Sequence, residues 1–134
     1  GGVGLMAAQI GRVHEFRVIG VASAAKRGLV QSTGAIFVES GPNLPERVRQ
    51  IAPDGADLIV DLVGGDALRA VADLVPDRTR IIYGGAVNAD NGAALIALPD
   101  VDGLFVGRAA WTPEGYARIV KLVHAAALRK AAQA

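Results

Sequence analysis

The stretch of residues 79–91 constrains the fold more than any other part of the sequence. Its β-branched pair Ile81 and Ile82 leads directly to Gly84 and Gly85, and the polar segment 88–91 follows. This order predicts a buried strand, a tight glycine turn and the start of a helix. Because such a turn presents backbone N–H groups just ahead of a helix, it also suits the binding of an anion.

The same succession of strand and helix runs through the whole chain. Short apolar runs predict five strands, at residues 16–22, 35–38, 57–63, 79–83 and 101–106. Helical patterns precede, separate and follow them, at residues 5–10, 24–34, 44–52, 67–75, 91–98 and from Pro113 onward, with an alanine-rich tail at 125–134 expected to fray. Strands that alternate with helices predict a parallel sheet covered on both faces.

Composition excludes several classes of function. The 134 residues suit one domain, and with 51% apolar but only 4% aromatic residues its core must be aliphatic. The net charge of +1, with dispersed Lys and Arg, argues against nucleic acid as a partner. No uncharged apolar run reaches the roughly 18 residues of a membrane span. With no Cys and two distant His, no metal site is predicted, and a cytoplasmic location is the default expectation. The start at Gly1 without Met suggests a fragment, a processed product or an assembled chain.

Four motifs in the first part of the chain point to a nucleotide-binding domain. They are Gly-Gly-Val-Gly at 1–4, Val-Ile-Gly-Val-Ala-Ser at 18–23, Lys26, and Asp-Leu-Val-Gly-Gly at 61–65. With them, residues 1–82 resemble the nucleotide-binding domain of the medium-chain NADPH:quinone oxidoreductases, of the zinc-type alcohol dehydrogenase-like family. The resemblance implies weak binding of NADP, with the pyrophosphate at the first helix. The implied cofactor-binding residues are Gly2, Gly4, Ser23, Lys26, Gly64 and Gly65.

Each of these residues also has a purely structural interpretation. Ser23 can cap a helix, Lys26 can be a solvated surface residue, and Gly64 and Gly65 can simply turn the chain before a helix. A hydroxyl and an ammonium group both favour a phosphate, so Ser23 and Lys26 would lie near the 2′-phosphate of the cofactor.

Two further motifs lie later in the chain, Tyr-Gly-Gly-x-Val-Asn at 83–88 and Asp-Gly-x-x-Val-Gly at 102–107. Residues 79–123 thereby resemble the last two βα units of triose-phosphate isomerase, a (β/α)₈ barrel. The resemblance implies that backbone N–H groups of the two loops grip a phosphate. The implied phosphate-binding residues are Gly84, Gly85, Gly107 and Arg108. Arg108 stands where a second Gly is common, and Ala86 replaces a usual Ser. Arg108 can add a charge-assisted hydrogen bond or remain a solvated loop residue.

Together, the two resemblances predict a chimera whose crossover falls between Pro76 and Tyr83. We expect a single α/β domain over residues 1–134, with an oxidoreductase-like part at 1–78 and an isomerase-like part at 79–134. Its predicted fold is a five-stranded parallel, doubly wound sheet of the Rossmann or flavodoxin-like type, in the order 2-1-3-4-5. The alternative is a half (β/α)₈ barrel, completed by dimerisation.

The functional prediction follows from what the chain does not match. The catalytic Lys, His and Glu of the isomerase have no counterpart here, so no catalytic residue is assigned. We expect an inactive scaffold that retains phosphate- or nucleotide-binding loops and takes a phosphate-bearing small molecule. An NADPH-dependent quinone oxidoreductase fragment and a triose-phosphate isomerase fragment are the alternatives, and a homodimer stays open. Trp111 and Tyr116 are expected to anchor the last helix.

Overall fold

A computed structural model describes residues 1–64, 66–72 and 80–133 of the chain. Helices and strands alternate along it as predicted. The strands are β1 (Ile19–Ala22), β2 (Ile36–Glu39), β3 (Leu58–Asp61), β4 (Arg80–Tyr83) and β5 (Gly103–Leu104). The α-helices are α1 (Gly2–Val13), α2 (Arg27–Gln31), α3 (Leu44–Ile51), α4 (Asp66–Ala72), α5 (Gly92–Ile96) and α6 (Pro113–Ala131). Two short 3₁₀ helices lie at Ala24–Lys26 and Arg108–Ala110.

The strands form two parallel sheets, one of β1 and β2 and one in the order β3-β4-β5. In the first, Ile19 pairs with Ile36. In the second, Leu58 pairs with Arg80, and β5 joins β4 with Gly103 beside Ile82. The α/β class and the parallel pairing are therefore confirmed, and the neighbours inside each sheet follow the predicted order. The single five-stranded sheet is not observed as such and stays a prediction.

Contacts between Cα atoms divide the chain into two compact units. Unit 1 consists of Gly1–Gly55 and Gly65–Pro76, and unit 2 of Ala56–Gly64 and Asp77–Ala134. The division does not follow the predicted crossover, because β3 belongs to the same unit as β4 and β5. A hydrogen-bonded sheet groups β3 with its neighbours, whatever the origin of its sequence. The prediction of one domain is not decided by this division.

Unit 2 has the tighter core of the two. The side chains of Ile81 and Val101 are 2% and 1% exposed, and Val87, Ile96 and Ile119 are also buried. Helix α6 packs on α5, and the Lys130 ammonium near its end donates to the carbonyl oxygens of Leu98 (2.6 Å) and Val101 (2.8 Å). Because the last turn is tied down in this way, α6 stays helical to Ala131, beyond the point where fraying was expected.

Other differences from the predicted elements are local. Gly2 and Gly4 lie in the first turn of α1 and not in a turn ahead of it. The strands are shorter than the apolar runs, since β1 starts only at Ile19 and β5 has two residues. The sheets are also not covered on both faces, because Val21, Leu58 and Val60 expose two-fifths to one-half of their surface. Residues 65 and 73–79, which include the first half of the predicted crossover, lie outside the described residues.

Candidate phosphate-binding site

The carboxyl ends of β3, β4 and β5 lie side by side at one edge of the second sheet. There the Gly84 N–H donates to the Asp61 carbonyl oxygen (2.6 Å), and the Phe105 N–H donates to the Tyr83 carbonyl oxygen (2.8 Å). The loops that follow β4 and β5 therefore leave the sheet from neighbouring positions. This is the arrangement that the two predicted phosphate-binding loops require.

The two glycines after β4 have different roles. The amide of Gly84 is occupied, because it extends the β3–β4 ladder by its bond to Asp61. By contrast, the N–H groups of Gly85 and Ala86, and those of Gly107 and Arg108 after β5, have no acceptor within residues 1–64, 66–72 and 80–133. A buried N–H without a partner is costly, whereas these four groups lie in part-exposed or exposed loops where a ligand or water can accept from them. Gly84 is thus a structural residue of the loop, and the four other amides are the candidate donors.

Two asparagines hold the loop after β4 in shape. The Asn88 side-chain oxygen accepts from the N–H groups of Asp90 (2.8 Å) and Asn91 (3.2 Å). In return, the Asn91 side-chain oxygen accepts from the Asn88 N–H (2.8 Å), and its amide nitrogen donates to the Ala86 carbonyl oxygen (2.8 Å). We call this reciprocal arrangement the Asn88–Asn91 clasp. It resembles a capping box, in which two side chains satisfy each other's backbone donors ahead of a helix.

The ring of Tyr83 leaves no room for a side chain at Gly64 or Gly85, so packing explains both glycines without a ligand. A Cβ atom on Gly64 would lie 2.8 Å from Tyr83 Cε2, and one on Gly85 would overlap the Tyr83 hydroxyl oxygen. Gly64 also has φ = +76°, a left-handed conformation that favours glycine. The structural interpretation of Gly64 therefore accounts for it fully, and Gly65 lies outside the described residues.

The loop after β5 ends in a well-capped helix. Gly107 precedes the short 3₁₀ helix Arg108–Ala110, and the Thr112 hydroxyl oxygen then accepts from the Gly115 N–H (3.1 Å) at the start of α6. The Arg108 side chain is exposed and makes no ion pair with any described residue. Trp111 is 79% exposed, so its predicted role as an anchor for the helix is wrong; Tyr116 is 56% exposed.

One carboxylate at this edge lacks a full set of partners. Asp61 Oδ1 accepts from the Val63 N–H (3.1 Å), but Asp61 Oδ2 is buried without a hydrogen bond from the described residues. Sequence reasoning identifies Asp61 only as part of a motif. It also misses the Asn88–Asn91 clasp, although the spacing Asn-x-x-Asn ahead of a helix is a signal that could have revealed it.

The predicted cofactor residues of unit 1 lie at the start of α1 and just beyond β1. A Cβ atom on Gly2 would meet nothing within 4 Å, so packing does not explain this glycine. Ser23 precedes the first 3₁₀ helix, but its hydroxyl makes no capping bond. Neither Ser23 nor Lys26 has a side-chain partner among the described residues, so both are available to a ligand.

Two grooves of the described residues are lined by other side chains than these. A groove of about 230 Å³ lies between α2, β2 and α3, and one of about 340 Å³ lies between α5, β5 and α6. The larger groove is mainly apolar and includes Tyr116 and His124. Among the described residues, no cluster of His, Cys, Asp or Glu could hold a metal ion, and no helix is long and apolar enough to cross a membrane.

Sequence comparison relates the second part of the chain to isomerases. A relative from Rhizobium etli, named L-erythrulose-1-phosphate isomerase, is 39% identical to this chain over 79 residues. The match covers 48% of this chain and 30% of the relative. The relative from Rhizobium rhizogenes is 55% identical over 53 residues, covering 38% of this chain and 20% of the relative. The chain thus spans less than a third of the length of these proteins.

Structure comparison relates the whole chain to reductases. It superposes on CurA in complex with NADPH from Vibrio vulnificus with a TM-score of 0.62 and 22% identity, covering 99% of this chain and 43% of that one. Escherichia coli quinone oxidoreductase complexed with NADPH gives a TM-score of 0.58 and 23% identity, covering 98% and 43%. At this identity the likeness shows the fold alone, and it agrees with the predicted resemblance to the oxidoreductases.

Both predicted resemblances are therefore confirmed, and they overlap along the chain. The family model of triosephosphate isomerase matches residues 50–123, so the isomerase-like part begins well ahead of residue 79, where the motifs place it. This match covers more than half of the 134 residues. The chain belongs to the triosephosphate isomerase family.

Proposed function

We propose that this chain binds a phosphate-bearing small molecule at the carboxyl ends of β4 and β5, without a complete catalytic site. The observation that carries the proposal is the set of four loop amides without acceptors among the described residues, at Gly85, Ala86, Gly107 and Arg108. They follow adjacent strand ends, and two of them open a short 3₁₀ helix. In (β/α)₈ barrels a phosphate is frequently held by the loops after the last two strands together with a short extra helix.

The Asn88–Asn91 clasp supports the same proposal. It fixes the carbonyl oxygen of Ala86, the residue whose own N–H is one of the four candidate donors, before any ligand arrives. The Val87 N–H in turn donates to the Gly85 carbonyl oxygen (2.9 Å), which lies in the same peptide group as the Ala86 N–H. A loop that is ordered in advance loses less conformational entropy on binding. Arg108 adds a positive charge beside the four donors, in a position free to form a charge-assisted hydrogen bond.

A phosphate titration followed by backbone amide NMR shifts tests the site. We expect the amides of Gly85, Ala86, Gly107 and Arg108 to move together with millimolar affinity. Gly84 is an internal control, because its N–H is committed to Asp61 and should move less. If these four amides stay still while others move, the phosphate site is elsewhere.

Substitution of Arg108 tests the part played by its guanidinium group. Arg108→Ala should weaken phosphate binding by about 1–2 kcal/mol, the loss typical of one charged hydrogen bond. Arg118→Ala is the matched control, since Arg118 is also exposed but lies on α6. Equal effects from both variants would show that only the net charge matters.

The ligand class to test first is a phosphorylated short ketose or aldose, since the relatives are named for L-erythrulose 1-phosphate. We expect no turnover of this compound or of glyceraldehyde 3-phosphate, because no base and electrophile pair has been assigned. Turnover that disappears in Gly107→Val would overturn the proposal of an inactive scaffold. Turnover that survives this change would indicate a contaminating enzyme.

A second candidate function is weak binding of NADP by unit 1. It is favoured by Gly2, which packing does not explain, and by the side chains of Ser23 and Lys26, which have no partner among the described residues. The solved neighbours contain NADPH, but the likeness extends only to their fold. Calorimetry should give an affinity for NADPH no better than high micromolar, with Lys26→Ala lowering it for NADPH and not for NADH. A sub-micromolar constant would favour an oxidoreductase fragment instead.

We also propose that the chain is a chimeric single domain whose five strands join in the order 2-1-3-4-5. Its support is that each observed sheet already has the neighbours this order requires. Nuclear Overhauser contacts between backbone protons of β1 and β3 would establish the join. Contacts of β2 with β3 instead would favour the half-barrel alternative, because neighbouring strands of such a barrel follow the order of the chain.

A further inference from the structure

Helix α1 exposes a row of large apolar side chains that no described residue covers. Val3, Met6, Ile10 and Val13 are 51%, 58%, 55% and 78% exposed. Their spacing of three, four and three residues places them on one face of the helix. We call this row the α1 stripe.

The opposite face of α1 is already used. Ala8 and Gly11 are buried there, and Gly11 lies close against Val18. Arg12, the single charged residue of α1, also lies away from the stripe, which is bordered by Ala7 and Gln9. A helix that is apolar on both faces is normally buried on both. The α1 stripe therefore has the character of an interface.

We infer that the α1 stripe binds the α1 stripe of a second copy of this chain, with the two helices antiparallel. The spacing is the same read in either direction, so reversal about Ala8 sets each stripe residue opposite another. Val3 then faces Val13 of the second copy, and Met6 faces Ile10. Valine thus meets valine, and the two larger side chains meet each other, in the self-complementary manner of a two-fold interface.

The extent of the stripe fits a small dimer. Helix α1 has 12 residues and is about 18 Å long. Its exposed apolar surface is on the order of several hundred Å² per copy, the size of the largest apolar patch on a typical monomer, which is often functional. Two copies would bury on the order of 1,000 Å² in total, the lower limit for a specific interface. The absence of charge within the stripe favours a like helix over a charged partner, and antiparallel pairing aligns the helix dipoles favourably.

Sedimentation equilibrium over a concentration series tests the dimer. We expect the apparent mass to rise with concentration toward twice that of the chain. Ile10→Glu should raise the dissociation constant of the dimer at least about 100-fold. Each dimer carries the change twice, and the loss of one buried anchor weakens binding by a factor of about ten or more. Circular dichroism should be unchanged, since Ile10 is already more than half exposed. Leu128→Glu on α6 is the matched control, with 58% exposure like Met6, and should leave the mass unchanged. A monomer at all concentrations, or equal effects of the two variants, would overturn the inference.

Cross-linking decides the orientation, because the chain has no cysteine of its own. A mixture of Val3→Cys and Val13→Cys chains should form a disulfide-linked dimer under mild oxidation. Val3→Cys alone should remain largely uncross-linked. Efficient cross-linking of Val3→Cys alone would indicate parallel helices and overturn the antiparallel arrangement.

Discussion

Substitution of Asn91 is the sharpest test of how the loop after β4 is built. Asn91→Ala removes the acceptor for the Asn88 N–H and the donor to the Ala86 carbonyl oxygen, two bonds of 2.8 Å each. A net contribution of about 1 kcal/mol per bond, reduced where water can replace the partner, gives a loss of about 1–2 kcal/mol. With a denaturant slope typical of a small protein, the urea midpoint should fall by about 0.5–1 M.

Two control variants make this result interpretable. Asn91→Asp keeps an acceptor for Asn88 but loses the donor to Ala86, so its loss of stability should lie between that of the native chain and that of Asn91→Ala. Asp90→Ala changes an exposed side chain of the same loop and should stay within about 0.5 kcal/mol of the native chain. Urea unfolding followed by circular dichroism measures all three.

The same variants connect loop order with binding. The clasp holds the Ala86 carbonyl oxygen, and the N–H of the same residue is a candidate phosphate donor. Asn91→Ala should therefore also weaken phosphate binding several-fold in the amide titration, whereas Asp90→Ala should not weaken it. If Asn91→Ala is as stable as the native chain, or if Asp90→Ala costs as much, the clasp does not stabilise the loop and the reasoning is refuted.

Four further changes probe unit 2. Asp102→Ala should lower the free energy of unfolding by about 1–2 kcal/mol, since Asp102 accepts from the part-buried Ile81 N–H (2.9 Å). Arg80→Ala should lower it by under about 1 kcal/mol, because the ion pair of Arg80 with Asp102 is solvent-exposed. Equal urea midpoints for the two variants would contradict this order. Lys130→Met should increase hydrogen exchange in the last turn of α6 by removing both of its carbonyl contacts, and unchanged protection there would show that the contacts are unimportant. Gly64→Ala should cost about 1–3 kcal/mol in thermal unfolding, because its φ is positive and the new Cβ would meet a tyrosine ring, and a neutral result would mean that the ring moves freely.

Much of the fold could be read from local sequence. The strand at Ile81 and Ile82, the glycine turn after it and the helix start at Thr112 and Pro113 all lie where residue type and spacing placed them. Each depends on neighbours within a few positions along the chain, so the sequence carries the information directly. The motif after β4 likewise carries the resemblance to the isomerase family, which the match of the family model to residues 50–123 confirms.

The site itself depended on residues that meet only in space. Nothing in the sequence distinguishes the amide of Gly84 from that of Gly85, yet the first is consumed by Asp61 of the neighbouring strand and the second has no acceptor among the described residues. Gly64 is required by the ring of Tyr83, 19 positions later in the chain. Pairing into sheets and side-chain contacts of this kind are non-local, and they decide which donors remain for a ligand.

The division of roles between sequence and tertiary structure is clear at α1. The sequence by itself predicts a helix of small and apolar residues over positions 5–10, and the structure extends it to Gly2–Val13. The sequence does not say which face is buried. That choice was made by packing, since the small residues Ala8 and Gly11 are the buried ones and Gly11 leaves room for the Val18 side chain, whereas the larger side chains lie outward.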